Sequence, residues 1–209
     1  RMAKARGHEA VLISGPTGLT APAGVKKIDV ETAGQMEQQV ARMFPKMDAL
    51  IMGAAVADFR PIRVATQKIK RSGVAGSLRL WQLDLVENPD IVAKVAGQRK
   101  ATQAVVGFAL ETERLLPNAR AKLKSKDLDA IVATQLSPRT SGPTGRKARR
   151  GKGRSPSEKG RGPFGEDPVD GAILDRRGHV KPFKRLSKQR LAQRILATVE
   201  SILSFRSNK

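Results

Sequence analysis

The amino-acid sequence predicts an α/β fold in which a mostly parallel sheet carries helices on both of its faces. Two observations indicate this class. Short apolar runs alternate with amphipathic helical patterns along the first 135 residues, and this alternation is typical of strand–helix–strand units. Toward the C-terminal end, the patterns of a hairpin and of one more helix follow. We therefore expect one α/β domain that is completed by a C-terminal hairpin and helix.

Five segments predict strands because they are short, rich in apolar residues and followed by turn or polar residues. In chain order they are EAVLISG (9–15), GVKKIDVE (24–31), DALIMGAAVA (48–57), QAVVGFAL (103–110) and DAIVAT (129–134). The first of them ends in glycine, and its unbroken apolar run is typical of a strand that is buried on both faces.

Three helices are predicted between these strands. Thr32 and Gln35 match a capping box, and the apolar residues behind them fall on one helical face. That face consists of Met36, Val40, Met43, Phe44 and Met47. Asn88-Pro89-Asp90 predicts the start of a second helix with proline in its first turn. The lysine-rich segment 114–128 predicts the third helix.

The remaining elements are an arm, a hairpin and a closing helix. LRLWQLDL (78–85) alternates apolar and polar residues and predicts an extended arm or an edge strand. AILDRRGHVKPF (172–183) predicts a hairpin that turns at Arg177-Gly178, and Ser187 predicts the N-cap of the closing helix. The inner face of this helix contains Leu191, Ile195, Val199, Ile202 and Leu203.

The first residues, RMAKARGHEAV, have the pattern of a helix end that leads into a strand. A doubly wound sheet ordinarily opens with a strand and a glycine-rich turn ahead of such a helix. We therefore expect the first βα unit either to be missing from this chain or to be supplied elsewhere.

The composition excludes several kinds of site. The 209 residues contain no cysteine and only two histidines, His8 and His179. This excludes a disulfide framework, a thiolate metal site, a cysteine nucleophile and a histidine-rich metal cluster. No apolar run approaches the roughly 18 residues that a membrane-spanning helix needs, and no signal peptide is recognisable. We expect a cytoplasmic protein without a membrane segment.

The formal net charge of +21 is unevenly distributed. Residues 139–161 hold nine basic residues and one acidic residue and show no helical or strand period, which predicts a disordered basic insertion over 139–163. The expected main part of the domain is then 1–138, and its C-terminal hairpin and helix occupy 164–209. The insertion could contact nucleic acid. A merely solvated loop is the alternative, since residues 139–161 contain no aromatic side chain to stack on bases.

Two clusters place small residues after predicted strands. Gly15-Pro16-Thr17-Gly18 follows the first strand, at the sheet edge where ligands bind in open α/β folds. Residues 53–61, GAAVADFRP, would let a planar ligand approach the backbone. Asp58 in that segment could hold a ribose hydroxyl or a metal ion. The structural alternatives are an ordinary turn for the first cluster and a capping role for Asp58.

Three further groups of residues suit anions. Lys68-Ile69-Lys70-Arg71 ends a long loop that could close over a triphosphate, and Asn88–Ile91 could offer helix N–H groups to an anion. Lys122 and Lys126 lie four residues apart, a spacing that turns two ammonium groups to one side of a helix. A solvated charge run, an N-cap and a solvated helix face are the alternatives. Phe108, by its pattern alone, predicts a core residue.

The order of these segments carries more information than each segment does. LISGPTG, IMGAAVADFRP, KIKR, LVENPDIV, VVGFALET, NARAKLKSKDLD and IVAT together resemble the phosphopantothenoylcysteine synthetase family, the phosphopantothenate–cysteine ligases of coenzyme A biosynthesis. The resemblance covers about 5–135 and resumes over about 164–204. It implies a Rossmann-like fold, a homodimer and a bacterial-type ligase that uses CTP and Mg²⁺. In that reaction 4′-phosphopantothenate becomes an acyl-cytidylate, which cysteine converts to 4′-phosphopantothenoylcysteine.

The resemblance also implies roles for single residues. Met52, Gly53 and Ala54 would line the nucleotide pocket, and Asp58 would contact the nucleotide directly or through the metal. Lys68 would be the catalytic residue that acts on the phosphates from a mobile flap. The other nucleotide-binding residues would be Asn88, Pro89, Asp90 and Ile91 in one turn, Phe108 at the base, and Lys122 and Lys126 at the phosphates.

The sequence departs from the family pattern in several places. Family members carry an SSGKMG-like segment ahead of the first helix, which binds phosphopantothenate and supplies an asparagine; it is not found in these 209 residues, and we expect an N-terminal truncation. Thr134 stands where the family has asparagine, and 139–161 is an insertion. A flavin-dependent decarboxylase domain is often fused to this ligase. We expect no flavin on these residues and a decarboxylase as a partner.

Two other functions compete with the ligase. A remnant of the fold could bind nucleotide or nucleic acid without completing the reaction. A dinucleotide-dependent reductase is disfavoured, because no G-x-G-x-x-G follows a predicted strand.

Overall fold

The computed structural model describes residues 1–68, 82–135 and 168–207. In chain order its elements are α1 (Met2–Ala5), β1 (Val11–Ser14), β2 (Lys26–Asp29), α2 (Ala33–Met43), a 3₁₀ turn (Phe44–Lys46), β3 (Ala49–Met52), β4 (Phe59–Pro61), β5 (Leu85–Glu87), α3 (Ile91–Gln98), β6 (Ala104–Glu111), α4 (Leu115–Ser125), β7 (Ala130–Gln135), β8 (Val169–Asp175), β9 (Val180–Leu186) and α5 (Lys188–Ser207). The predicted basic insertion and the first half of the predicted arm (78–81) lie outside the described residues.

A five-stranded sheet with the order β3-β6-β7-β8-β9 forms the centre of the fold. β3, β6 and β7 run parallel, and the hairpin β8–β9 adds two antiparallel strands beside β7. β1 and β2 form a separate parallel pair, and β4 and β5 form a short antiparallel ribbon. The predicted α/β class, with parallel strands and flanking helices, is confirmed.

Apolar side chains cover both faces of the central sheet. On one face α2, α3 and α4 contribute Val40, Val95 and Ala119 to a buried cluster with Val105 and Ile131. The next residues along β6 and β7 point to the other face, because side chains alternate along a strand. There α5 packs Leu191, Ile195 and Val199 against Val106 and Val132. Helix α1 lies against α5, where Arg6 and His8 both contact Glu200.

Several local predictions are confirmed. The Thr32 Oγ1 accepts the Gln35 N–H at 3.1 Å, and the Gln35 side chain accepts the N–H of Thr32, which completes the capping box. The hairpin turns at Gly178 with a φ of +90°, a conformation that favours glycine. Ser187 caps α5, since its Oγ accepts the Arg190 N–H at 3.3 Å.

Three local predictions need correction. Helix α3 begins at Ile91 with Asp90 as its N-cap, so Pro89 precedes the cap instead of occupying the first turn. β3 ends at Met52, and residues 53–57 form a loop although β6 continues to Glu111. β1 is only half-buried, since it lies in the two-stranded sheet and not between strands of the central one.

A buried carboxylate joins four elements at the edge opposite the ends of β3 and β6. Asp129 is 2% exposed and accepts the Val105 N–H at 2.8 Å. Arg206 of α5 donates to it at 2.5 Å, and the Arg99 Nε lies 3.3 Å away. These contacts tie the starts of β6 and β7 to the C-terminal ends of α3 and α5. Among the helices of the described part, none is long and apolar enough to cross a membrane.

Candidate functional site

A cavity of about 430 Å³ opens where β3 and β6 approach their carboxyl ends. The loop that follows β3, the β4–β5 ribbon and the start of α3 form its other walls. Nine of the predicted site residues line it: Met52, Ala54, Asp58, Asn88, Pro89, Asp90, Ile91, Phe108 and Lys126. The structure thus brings together segments that lie up to 74 positions apart in the sequence (from 52 to 126). In open α/β folds, this edge of the sheet is where ligands bind.

The ring of Phe108 forms one wall of the cavity. Its neighbour is Gly53, where a Cβ atom would lie 3.7 Å from the ring. The backbone at Gly53 therefore runs directly beside the aromatic face. Phe108 is 40% exposed, so the expectation of a core residue from its pattern alone is wrong. An exposed ring inside a cavity offers a stacking surface to a planar ligand.

Asn88 fixes the loop that carries Asp58. Its backbone N–H donates to the Asp58 carbonyl at 2.7 Å, and its side-chain amide donates to the Ala57 carbonyl at 2.8 Å. Arg60 then donates to the Asn88 Oδ1 at 3.0 Å and to the Glu87 carbonyl at 2.7 Å. Asn88 is thus a positioning residue that joins the loop to the ribbon. The site prediction did not include Arg60 and Glu87, although both stand within the motifs that define the cavity.

The N-terminus of α3 is already capped from within the chain. The Asp90 side chain accepts the Ala93 N–H at 3.1 Å, and the Lys126 Nζ lies 2.9 Å from the same carboxylate. The pair is partly exposed, with 35% of the Lys126 side chain and 46% of the Asp90 side chain accessible. Ion pairs this exposed contribute only about 0–1 kcal/mol, so Lys126 can exchange Asp90 for an anionic ligand at little cost.

Lys122 has a different partner from Lys126. Its Nζ lies 2.7 Å from the Glu111 Oε1, and the Asn118 amide donates to the other carboxylate oxygen at 3.0 Å. Burial raises the pKa of Glu111, but the hydrogen bonds from Lys122 and Asn118 outweigh burial and hold the pKa below its usual value. Glu111 lies at the end of β6, and Lys122 does not line the 430 Å³ cavity. Lys122 and Lys126 therefore form ion pairs with two separate carboxylates, those of Glu111 and Asp90.

The remaining predicted residues lie around the cavity or beyond the described part. Lys68 is exposed at the end of the segment that follows β4. Ile69, Lys70 and Arg71 fall outside the described residues. Gly15 lines a neighbouring cavity together with Gly53. Across residues 1–68, 82–135 and 168–207, no group of three or more His, Cys, Asp or Glu side chains could hold a metal ion.

The fold defines the α/β class, and its candidate site is a cavity at the carboxyl edge of parallel strands. Comparison with known proteins narrows this class. The family described as the DNA/pantothenate metabolism flavoprotein C-terminal domain matches residues 1–148. The chain belongs to this family, and the resemblance to phosphopantothenoylcysteine synthetases is confirmed.

Relatives and solved structures agree with this assignment. The chain is 36% identical over 214 residues to the coenzyme A biosynthesis bifunctional protein CoaBC of Mycobacterium bovis, covering 98% of this chain and 45% of the relative. It is 42% identical over 137 residues to CoaBC of Escherichia coli K12, covering 66% of this chain and 33% of that protein. The crystal structure of a CoaBC C-terminal domain superposes with a TM-score of 0.70 at 25% identity, covering 97% of this chain and 79% of the other. The chain thus spans less than half the length of these curated relatives.

Proposed function

We propose that this chain is the phosphopantothenate–cysteine ligase part of a coenzyme A biosynthesis protein and that its 430 Å³ cavity binds CTP. The observation that supports the proposal is the assembly of nine predicted nucleotide-binding residues around one cavity. They come from four separate motifs, and the cavity combines an aromatic ring, a carboxylate and an ammonium group. The ring can stack on a base, the carboxylate can bind a ribose hydroxyl or a metal ion, and the ammonium group can bind a phosphate.

The chemistry of the walls supports one orientation of the proposed nucleotide. In this proposal the base stacks on the exposed Phe108 ring, beside the backbone of Gly53. The phosphates lie toward Lys126, whose ammonium group leaves Asp90 at small cost. Asp58 accepts a ribose hydroxyl or binds the metal that accompanies the phosphates. Asn88 and Arg60 keep the backbone of this loop in place.

The reaction needs no protein nucleophile. A carboxylate oxygen of 4′-phosphopantothenate attacks the α-phosphorus of CTP, and the bond to pyrophosphate breaks. The cysteine amine then attacks the acyl carbon, loses a proton and displaces CMP, which leaves 4′-phosphopantothenoylcysteine. Catalysis of both steps depends on positioning and on cationic stabilisation of the phosphate oxygens. In this scheme Lys68 acts on the phosphates of CTP during the first step, the formation of the acyl-cytidylate.

The carboxylates of the cavity fit a magnesium ion that arrives with the nucleotide. Mg²⁺ prefers oxygen ligands and is commonly held by one or two carboxylates together with substrate phosphates. Asp58 and Glu87 line the cavity and match that mode better than a site built from protein ligands alone. When bound, the metal would neutralise charge on the phosphates.

Partners follow from the family and from the surface of the ribbon. Apolar side chains are exposed on β4–β5 and the adjoining residues: Phe59, Ile62, Leu83, Leu85 and Val86. Several large apolar side chains exposed on one ribbon are typical of protein interaction sites, and we assign this ribbon to a homodimer interface. Because the relatives are bifunctional proteins more than twice as long, a phosphopantothenoylcysteine decarboxylase unit is the other expected partner. We place the protein in the cytoplasm.

Calorimetric titration with CTP tests the nucleotide site. We expect saturable binding with one CTP per chain and weaker binding of ATP. Phe108→Ala should weaken CTP binding about 5–30-fold, since stacking of one base on one ring contributes about 1–2 kcal/mol. Phe205→Ala is the matched control, because Phe205 is 45% exposed and lies outside this cavity. Equal affinities of the wild type and Phe108→Ala would refute the assignment.

A further inference from the structure

We propose that the cavity beside Asp129 binds an acidic polypeptide segment of a partner protein. This cavity has a volume of about 670 Å³ and lies at the edge of the sheet opposite the candidate nucleotide site. Its walls come from the C-terminal ends of α3 and α5, the turn before β7, the turn of the β8–β9 hairpin and the start of β9. Six basic and three acidic side chains line it, which leaves a surplus of three positive charges.

Three of the six basic side chains already pair with carboxylates of the same cavity. Arg206 donates to Asp129 at 2.5 Å, and the Arg99 Nε lies 3.3 Å from this buried carboxylate. Arg176 of the hairpin pairs with Asp127. These arginines tie the turn before β7 to α3, α5 and the hairpin, so their contacts are accounted for by the fold.

The other three basic side chains are Lys100, Arg177 and Lys181. All three are exposed, and no carboxylate of the described residues lies within ion-pair distance of them. The Lys100 Nζ donates to the Pro45 carbonyl at 3.1 Å, which is a neutral acceptor. Like charges that face one cavity repel one another, so an anionic ligand that contacts these side chains would relieve the repulsion.

Arg177 is held in place before any ligand binds. The Asp175 Oδ1 accepts the backbone N–H groups of Arg177 and His179, each at 3.0 Å, and so fixes the hairpin turn. The guanidinium carbon of Arg177 lies 3.5 Å from the centroid of the Phe205 ring. A ring contact of this kind does not use up the N–H donors that bind carboxylates. A ligand that meets a positioned side chain loses less free energy to ordering.

The distribution of the three cations favours carboxylates that are spaced along a chain. Lys100 follows α3, Arg177 lies in the hairpin turn and Lys181 lies on β9, so each comes from a different element. Sites for concentrated phosphate charge ordinarily use helix N–H groups that converge on one anion. Among the described helices, α3 and α5 face this cavity with their C-terminal ends, which carry negative partial charge. Separate cations without such a focus suit separate carboxylates better than a phosphate chain.

The size and the apolar part of the lining favour a polypeptide. Strands rise about 3.3 Å per residue and lie about 4.8 Å apart in layers about 10 Å thick, so an extended residue fills about 160 Å³. The cavity of about 670 Å³ therefore holds about four residues. Its lining also includes Ala96, Ala101 and the half-buried Ile202, which a small carboxylic acid would leave uncovered. An acidic segment with one apolar side chain matches both parts of the lining.

A synthetic peptide tests the proposal on the whole chain. The probe is the acetylated and amidated tetrapeptide Glu-Glu-Leu-Glu, used at about 150 mM salt, where charges more than about 8 Å apart are largely screened. We expect saturable binding of one peptide per chain with a dissociation constant below about 1 mM. Amide shift changes should map to residues 96–101, 175–181 and 201–206. The same peptide with glutamine in place of each glutamate should bind at least tenfold more weakly.

Charge reversal on one strand separates this site from general attraction to a basic protein. Lys181→Glu should weaken binding at least fivefold, because a repulsion replaces an attraction. Lys184→Glu is the matched control, since Lys184 is an exposed lysine of the same strand that does not line the cavity. It alters the net charge by the same amount and should change the affinity less than twofold. Lys100→Glu perturbs the cavity from another wall, so a folding defect of Lys181→Glu, detected by circular dichroism, does not end the experiment.

Competition experiments identify the class of ligand. CTP, tripolyphosphate and citrate, each at the concentration of the peptide, should leave the peptide bound. Displacement by either phosphate compound would overturn the proposal in favour of a phosphate site, and displacement by citrate in favour of a site for small acids. Absence of saturable binding, equal losses in Lys181→Glu and Lys184→Glu, or shift changes confined to residues 52–58 and 108 would also overturn it. The proposal does not depend on which ligand the 430 Å³ cavity binds.

Discussion

Replacing the buried Asp129 by asparagine tests how strongly this side chain joins the starts of β6 and β7 to the C-terminal ends of α3 and α5. Asn retains the size of the side chain and can still accept the Val105 N–H, but it removes the charge that Arg99 and Arg206 share. The side chains of Arg99 and Arg206 are only 8% and 17% exposed. Both guanidinium groups would therefore stay largely buried beside a neutral amide instead of a carboxylate. Removing one partner of a buried ion pair costs about 3–5 kcal/mol.

Urea denaturation followed by circular dichroism measures this cost. With a urea dependence of about 2 kcal/mol per molar, the unfolding midpoint of Asp129→Asn should fall by about 1.5–2.5 M. Asp127→Asn is the matched control, because Asp127 also pairs with Arg99 but has 54% of its side chain exposed. We expect it to lose less than about 1 kcal/mol. Equal midpoint shifts in the two variants would refute the role assigned to the buried carboxylate.

Three further predictions concern the site. Lys126→Ala should weaken CTP binding about 2–5-fold, as expected for one exposed ionic contact, whereas Lys124→Ala on the same helix should not change it; equal losses in the two variants would contradict the assignment of Lys126 to the phosphates. Lys68→Ala should abolish pyrophosphate release in a coupled assay with CTP and 4′-phosphopantothenate, and a wild-type rate would contradict the flap role. Because the folded-state pKa of Glu111 is lowered, its ion pair stabilises the chain fully above the unfolded pKa, and this contribution is lost as pH falls through the folded pKa. Glu111→Gln should therefore destabilise the chain at pH 6 and much less at pH 3, which urea midpoints at the two pH values would show.

The elements that depend on local sequence could be predicted. The capping box at Thr32, the hairpin turn at Gly178 and the cap at Ser187 all rest on contacts within a few residues. The helix after Asn88 was placed correctly, but its cap was not, because two capping residues, Asn88 and Asp90, compete within one segment. In the structure the Asn88 side chain donates to the Ala57 carbonyl, and Asp90 is the residue that caps the helix.

The residues of the candidate site were predicted from the order of their motifs, but their partners were not. Nothing near Phe108 in the sequence reveals that its ring lies beside Gly53 and stays exposed. The spacing of Lys122 and Lys126 suggested a common role, yet each faces a carboxylate from a different element. Arg60 gained its role only through the antiparallel pairing of β4 with β5. Such contacts depend on tertiary structure, which helical or strand periodicity does not encode.

The sequence also could not predict the separation of β1 from the central sheet. The apolar run 9–15 has the composition of a buried strand, whereas β1 is half-buried beside a cavity. The burial of a strand depends on neighbours that lie far away in the sequence, which a local apolar pattern does not encode.

Mapping CTP on the chain by NMR tests the central claim most directly. During a titration, the amide shift changes should concentrate at residues 52–58, 87–91 and 108 and at Lys126, which surround the 430 Å³ cavity. Residues 127–129 and 175–177, at the separate cavity near Asp129, should not respond. Changes confined to that second cavity, or spread over the basic surface without saturation, would contradict the claim that the carboxyl edge of β3 and β6 is the nucleotide site.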